Sequence, residues 1–356
     1  MKEQYQKYFL DILKSLIETP SPSGYTFHVR NLILKELEEY KSLGEVKVYK
    51  NNGIEFIFNS SKTENRRAIC SHFDTLGLFL SHIETDGMIR LDMIGGYPWT
   101  AVEGEYVKIH TMDNKTYTGT ILFHKASTHI YGSSYDQEPR KQDLMYLRLD
   151  EKVSSIEDVN NLGIFLGDFV SLDPRFVYTN SGFLKSRHLD NKTGIALILT
   201  MMKQIKEQNL QNKIGHFRCI FTSGEEIGKG ANFVKDLDEL LIVDNAVVGK
   251  TQNSLEDKVT ICVKDSTGPF DYSFKKHLIN MSKSNQIDYV LDVYKRYGCD
   301  SETVLKLGVD VRTALIGPGI DASHSYERTH IDALTHTFLL MINYTLGDAV
   351  KEHCVE

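Results

Sequence analysis

At 356 residues the chain is long for one compact core and suggests a large domain with a smaller companion. Its 41% hydrophobic and 25% charged content is ordinary for a globular protein, and a formal charge of −7 without a basic stripe excludes a nucleic-acid footprint. No apolar run reaches the roughly 18 residues a membrane span needs. Five dispersed cysteines (Cys70, Cys219, Cys262, Cys299 and Cys354), with no C-x-x-C pair, point to reduced thiols in a cytoplasmic setting.

Apolar spacing of helical period marks about 4–18 and 25–41. Asp11, Lys14 and Glu18 interrupt the first of these, so it reads as an amphipathic helix and not a signal peptide. Short apolar strands follow near about 45–50, 54–58 and 66–71. From about 78 to 180 the texture changes to alternating runs such as MIRLDMIG, EYVKIHT and YTGTILFH between Gly, Asn and Asp turns, which reads as a small β-barrel-like domain inserted into the chain. Helix and strand then alternate. LDNKTGIALILTMMKQIKEQ is a helix, GHFRCIFTS, LLIVDNAVV, VTICVKD, DYVLDVY and VRTALIG are strands, and helices fall near about 271–283 and 300–307. DALTHTFLLMINYTLGDAVKEH is expected to close the chain as one helix. The pattern predicts an α/β fold in which a mixed, largely parallel sheet is flanked by helices. Its catalytic domain would be discontinuous, residues 1–77 and 181–356, with the inserted β domain at 78–180.

Several of these strands end in residues that carry chemistry. His72 and Asp74 follow the apolar strand RRAIC, two apart and so on one face. His72 could bind a metal while Asp74 accepts its other N–H, although an H-x-D triplet is also a common surface pair. Asp190 precedes a long apolar helix, where it could cap the helix or bridge two cations with its two oxygens; His188 is a competing ligand. Glu225 and Glu226 follow the buried strand HFRCIF. Adjacent carboxylates there call for compensation, from a helix N-terminus or from a dication, with Glu226 as ligand and Glu225 as proton acceptor. Asp244 ends the strand LLIVD, and His324 follows VRTALIG, with Glu327, Arg328 and His330 beyond as substrate-contact or loop residues. Two histidines and three carboxylates suit two zinc or cobalt ions.

In these residues the sequence resembles the dinuclear-metal tetrahedral aminopeptidases, a family that includes glutamyl and deblocking aminopeptidases, some of which once carried the name endoglucanase. The resemblance runs nearly end to end through PSPSG (20–24), SHFDTLG (71–77), GDFVSLDP (167–174), RHLDNKTG (187–194), GEEIG (224–228) and HSYERTHID (324–332). It implies one metal at His72 and Asp244, another at Glu226 and His324, Asp190 between them, Glu225 as general base and then acid, and Asp74 orienting His72. It also implies a short peptide substrate and assembly as a homo-oligomer, from dimer to dodecamer. DSTGPFDY (265–272) and DASHSYERTHIDAL (321–334) resemble a subgroup associated with the osmoprotectant N-acetylglutaminylglutamine amide, which would make the substrate a small acylated or amidated dipeptide.

Overall fold

Residues 1–62 and 64–351 are described in the computed structural model of the chain, and Cys354 lies outside them. Helices α1 (Glu3–Glu18) and α2 (Phe27–Glu38) lead into strands β1 (Gly44–Val48), β2 (Ile54–Phe58) and β3 (Arg67–His72). Next come β4 (Gly77–Ile83), β5 (Ile89–Ile94), β6 (Tyr106–His110), β7 (Thr116–Phe123), β8 (Met145–Leu149) and β9 (Phe169–Leu172). The short helices α3 (Thr128–Tyr131), α4 (Ser134–Gln137) and α5 (Ile156–Asn161) sit in their connections. After β10 (Val177–Tyr178) and β11 (Phe183–Ser186) the chain runs through α6 (Leu189–Glu207), β12 (Phe217–Thr222), β13 (Glu239–Val243), β14 (Ala246–Val247) and β15 (Val259–Lys264). The remainder is α7 (Tyr272–Ser284), β16 (Tyr289–Val293), α8 (Asp300–Lys306), β17 (Arg312–Ile320), β18 (Glu327–His330) and α9 (Ile331–Leu346).

The main sheet has nine strands in the order β1-β2-β12-β3-β13-β17-β15-β16, with β14 pairing β17. Its middle is parallel, from β12 through β3 and β13 to β17, while β1, β2 and the β15–β17 pair run antiparallel. Every residue of β3 and β13 is buried, which is why both read as unbroken apolar runs without alternation. One face is covered by α1, α6, α7 and α9, whose Phe9, Leu13, Ile198, Met201, Phe274 and Phe338 join the largest core cluster. The other face is covered by α8 and the segment around Ala231–Leu237. This is the expected α/β architecture, and the β-barrel-like unit is present too: β4-β5-β8-β7-β6-β9 closes into an antiparallel barrel with its own core. Among the described residues no helix is long and apolar enough to cross a membrane.

Two elements differ from the sequence expectation. The final helix stops at Leu346 instead of running through residue 353. Gly347 follows it, the Arg67 guanidinium takes the carbonyls of Tyr344 (2.8 Å) and Thr345 (3.5 Å), and the Val350 N–H turns to Glu239 (2.7 Å). Residues 327–330, where a loop was an open alternative, form β18 in a small antiparallel sheet with β11 and β10.

The start of α6 is wedged against the ends of β3 and β13. A Cβ on Gly194 would meet the Val243 carbonyl oxygen at 2.8 Å and press on Ser71 and Asn191. Gly194→Ala is therefore expected to cost about 1–3 kcal/mol by overpacking, read from chemical unfolding. Wild-type stability in that variant would contradict the close approach.

Candidate metal centre and cleft

The parallel strands β12, β3, β13 and β17 point their carboxyl ends at one edge of the sheet, the edge where open α/β folds bind ligands. His72 is the last residue of β3 and pairs in register with Thr222, so the turn after β12 brings Glu225 and Glu226 beside it. Asp244 follows directly on β13, and His324 lies in the loop between β17 and β18. Asp190 enters from the start of α6, where it and Asn191 depart from helical dihedrals and His188 is left-handed.

These side chains converge. His72 is 1% exposed, and its Nε2 lies 3.1 Å from Asp190 Oδ1, 3.7 Å from Glu225 Oε2 and 3.8 Å from Asp244 Oδ1. The other oxygen of Asp190 is 3.4 Å from His324 Nε2, which in turn is 3.6 Å from Glu226 Oε2. One carboxylate thus faces two imidazoles, each with its own further acid. His72, Asp190 and Glu226 each bring a possible ligand atom within 4.8 Å of the others.

Around the cluster, hydrogen bonds fix the orientations. His72 Nδ1 meets the Asp74 main-chain oxygen at 3.1 Å, whereas the Asp74 carboxylate is 3.6 Å away. That carboxylate instead accepts the Ser23 hydroxyl (2.5 Å) and the N–H groups of Glu225 (3.2 Å) and Glu226 (3.3 Å). Asp74 therefore ties the histidine to the Glu-Glu turn. Asn245 donates to Asp190 Oδ2 (2.6 Å) from its side chain and to Asp244 Oδ1 (2.6 Å) from its main chain. His324 Nδ1 contacts the Gly96 carbonyl of the barrel at 2.6 Å.

Glu327, expected near substrate, is 2% exposed and accepts the main-chain N–H groups of Asp190 and His324, each at 3.1 Å. Arg328 is not delivered to the cluster. Neighbouring residues on a strand face opposite ways, and its guanidinium forks onto Glu256 at 2.8 Å twice and covers the Phe183 ring. His188 does not line the cleft but a separate small cavity with Ile17, Ser21 and Leu172, and burial, helped by Lys192 and Arg187, holds its pKa down at about 3. Reasoning from sequence missed Asn245, Tyr297 and Asp300. Only Asn245, adjacent to a strand-ending acid, had a local signal.

The electrostatics show what the cluster lacks. Burial, with Asp244, Glu226 and Asp300 nearby, drives the Glu225 carboxyl well above its usual range. Burial and Asp190 push Glu226, Asp244 and Glu327 each to about 8. Burial opposes charge on the imidazoles, yet Glu225, Asp190 and Asp74 raise His72 well above normal, and Asp190 with Glu226 raises His324 to about 11. Hydrogen bonds from both imidazoles outweigh burial at Asp190 and lower its pKa. Glu225, Glu226, Asp244 and Glu327 are thus raised by burial first and by their acidic neighbours second, which added positive charge would offset. Hard cations on oxygen and imidazole donors would supply it, so the donor set fits divalent metal. Asp190, Glu225, Glu226, Asp244 and His324 line a cleft of ≈ 810 Å³ together with Val247, Val248, Arg296, Tyr297 and Leu307.

Zinc or cobalt should therefore raise the unfolding midpoint, by an amount that grows with metal concentration as binding to the native state alone requires. Asp190→Ala, which removes the carboxylate that faces both imidazoles, should abolish the rise. An equal rise in that variant would place the metal elsewhere.

The chain was compared with known proteins. The family model described as M42 glutamyl aminopeptidase matches residues 53–340. YhfE of Bacillus subtilis (strain 168), provisionally named an aminopeptidase, is 42% identical over 346 residues, 96% of this chain and 98% of its own. Among solved structures, the aminopeptidase APDkam598 from the archaeon Desulfurococcus kamchatkensis superposes with a TM-score of 0.87 at 22% identity, covering 99% of this chain and 100% of that one. The TET1 peptidase of Pyrococcus horikoshii, which can assemble into a tetrahedron or a large octahedral shell, gives 0.83 at 20% identity over 95% and 99%. At these identities the structures establish the fold alone.

Proposed function

The chain belongs to the M42 glutamyl aminopeptidase family, a peptide hydrolase family, and from that premise we propose that it is a metal-dependent aminopeptidase acting on short peptides. The observation that carries the proposal is Asp190, whose two oxygens face His72 and His324 separately while Glu225 stands 3.7 Å from His72. His72 and Asp244 would hold one divalent cation and Glu226 and His324 another, with Asp190 shared. When bound, zinc or cobalt ions would supply Lewis-acid polarisation of the scissile carbonyl and make water more acidic.

The chain's own residues do the rest. Glu225 takes a proton from the attacking water and delivers it to the leaving amine. Asp74 holds the Glu225 and Glu226 N–H groups and so sets where those carboxylates point. Glu327 fixes the main chain at Asp190 and His324, and Val247, Val248 and Leu307 give the cleft an apolar wall for substrate side chains.

The catalytic unit would comprise residues 1–77 and 181–356, with 78–180 as the inserted domain that governs access and assembly. We place the protein in the cytoplasm as a homo-oligomer, a dimer or a larger shell up to a dodecamer, as the assembly of the TET1 peptidase supports. A single-chain mass in light scattering would contradict that. A substrate without a free amine, such as the acylated and amidated dipeptide of the osmoprotectant-linked subgroup, is the competing reading, and blocked against unblocked peptides separates the two.

Glu225→Gln should lower kcat by about two to four orders of magnitude while bound metal stays at the wild-type level. Turnover near wild type in that variant would remove Glu225 from the mechanism.

A further inference from the structure

The catalytic cleft continues past Tyr297. A second groove of ≈ 880 Å³ adjoins it and shares Val247, Arg296 and Tyr297 with it. Asp190, Glu225, Glu226 and Asp244 of the proposed metal centre line the first cleft together with Arg296, and Lys295 joins Arg296 in the second groove. Lys306 in the first cleft is tied to Glu302. Asp292 in the second groove is taken up by Gln252, the Asn253 N–H and the Ser254 N–H and hydroxyl, at 2.7–3.1 Å. Arg296 and Lys295, by contrast, have no hydrogen-bond or ion-pair partner among the described residues, and both are exposed to the groove.

Tyr297, next to Arg296 in the chain, is linked to the metal centre by two hydrogen bonds. The Tyr297 hydroxyl donates to the Asn245 carbonyl (3.0 Å), and the Asn245 amide holds Asp190 (2.6 Å). Arg296 therefore sits one residue along from the tyrosine that reaches the cluster's own support. A guanidinium presents a planar fork that matches a carboxylate, and such charge-assisted pairs are among the stronger hydrogen bonds.

We infer that Arg296, assisted by Lys295, receives the free C-terminal carboxylate of a short peptide whose amino end lies at the His72–His324 cluster. This rests on the aminopeptidase reading and names its substrate class: short peptides with an unmodified carboxyl terminus, in preference to their C-terminal amides. Val247 and the half-buried Val263 line the groove beyond and take the apolar parts of the last residue.

The test compares dipeptides and tripeptides as free acids and as C-terminal amides, with wild type, Arg296→Met and Arg296→Lys, each loaded with zinc. The acid should exceed the amide in kcat/KM by about ten-fold or more in wild type, chiefly through KM. That ratio should fall toward one in Arg296→Met and partly return in Arg296→Lys. Equal use of acid and amide by wild type, an unchanged ratio in Arg296→Met, or a preference that follows an acidic first side chain would each overturn the assignment. If wild type cleaves neither form, the aminopeptidase reading fails. Calorimetric binding of the acid and the amide then decides the Arg296 assignment alone, tighter binding of the acid supporting it and equal binding overturning it.

Discussion

A crowd of carboxylates with too little positive charge is the constraint on which the rest of this structure depends. Asp74, Asp190, Glu225, Glu226, Asp244, Asp300 and Glu327 are gathered at one sheet edge with, among the described residues, two imidazoles directly between them. Water is largely excluded there, so their repulsion is weakly screened. Burial first, and this repulsion second, pushes up the pKa of most of these acids, and a fold assembled for stability alone would not keep them. The arrangement makes sense as a preformed cradle for cations.

The scaffold answers that constraint element by element. Parallel strands deliver His72, Glu225, Glu226, Asp244 and His324 to one edge, since all four central strands end there, and the start of α6 adds Asp190. Buried hydrogen-bond donors then hold oxygens that would otherwise splay apart: Ser23 and two main-chain N–H groups on Asp74, Asn245 on Asp190 and Asp244. The barrel is tied into the same network. Gly96 supplies a carbonyl to His324, and the buried Arg187 joins the Ser325 carbonyl (3.2 Å) to Glu105 of the barrel (3.0 Å). The barrel is thereby joined to the loop that carries His324.

Much of this was legible in the chain. Continuous apolar runs announced β3, β12 and β13, and each was followed at once by His72, Glu225–Glu226 or Asp244, because strand ends are where a parallel sheet presents its chemistry. The barrel showed in the period-two pattern between turns. What stayed hidden depends on contacts between segments far apart in sequence. Nothing local marks Asp300, whose carboxylate is met by Thr222 and Cys70 from two different strands. Arg328 looked available because it adjoins Glu327, but strand pairing with β11 turned it outward to Glu256. The end of α9 was misread for the same reason: Arg67, nearly the whole chain away, takes the carbonyls that would have propagated the helix.

The most direct test of the account is a titration of chelator-stripped protein with zinc while hydrolysis of an unblocked dipeptide is followed. The account predicts no turnover at the start and full activity at about two equivalents per chain, the number a two-metal site requires. Turnover that survives stripping, or none at metal saturation, would contradict it.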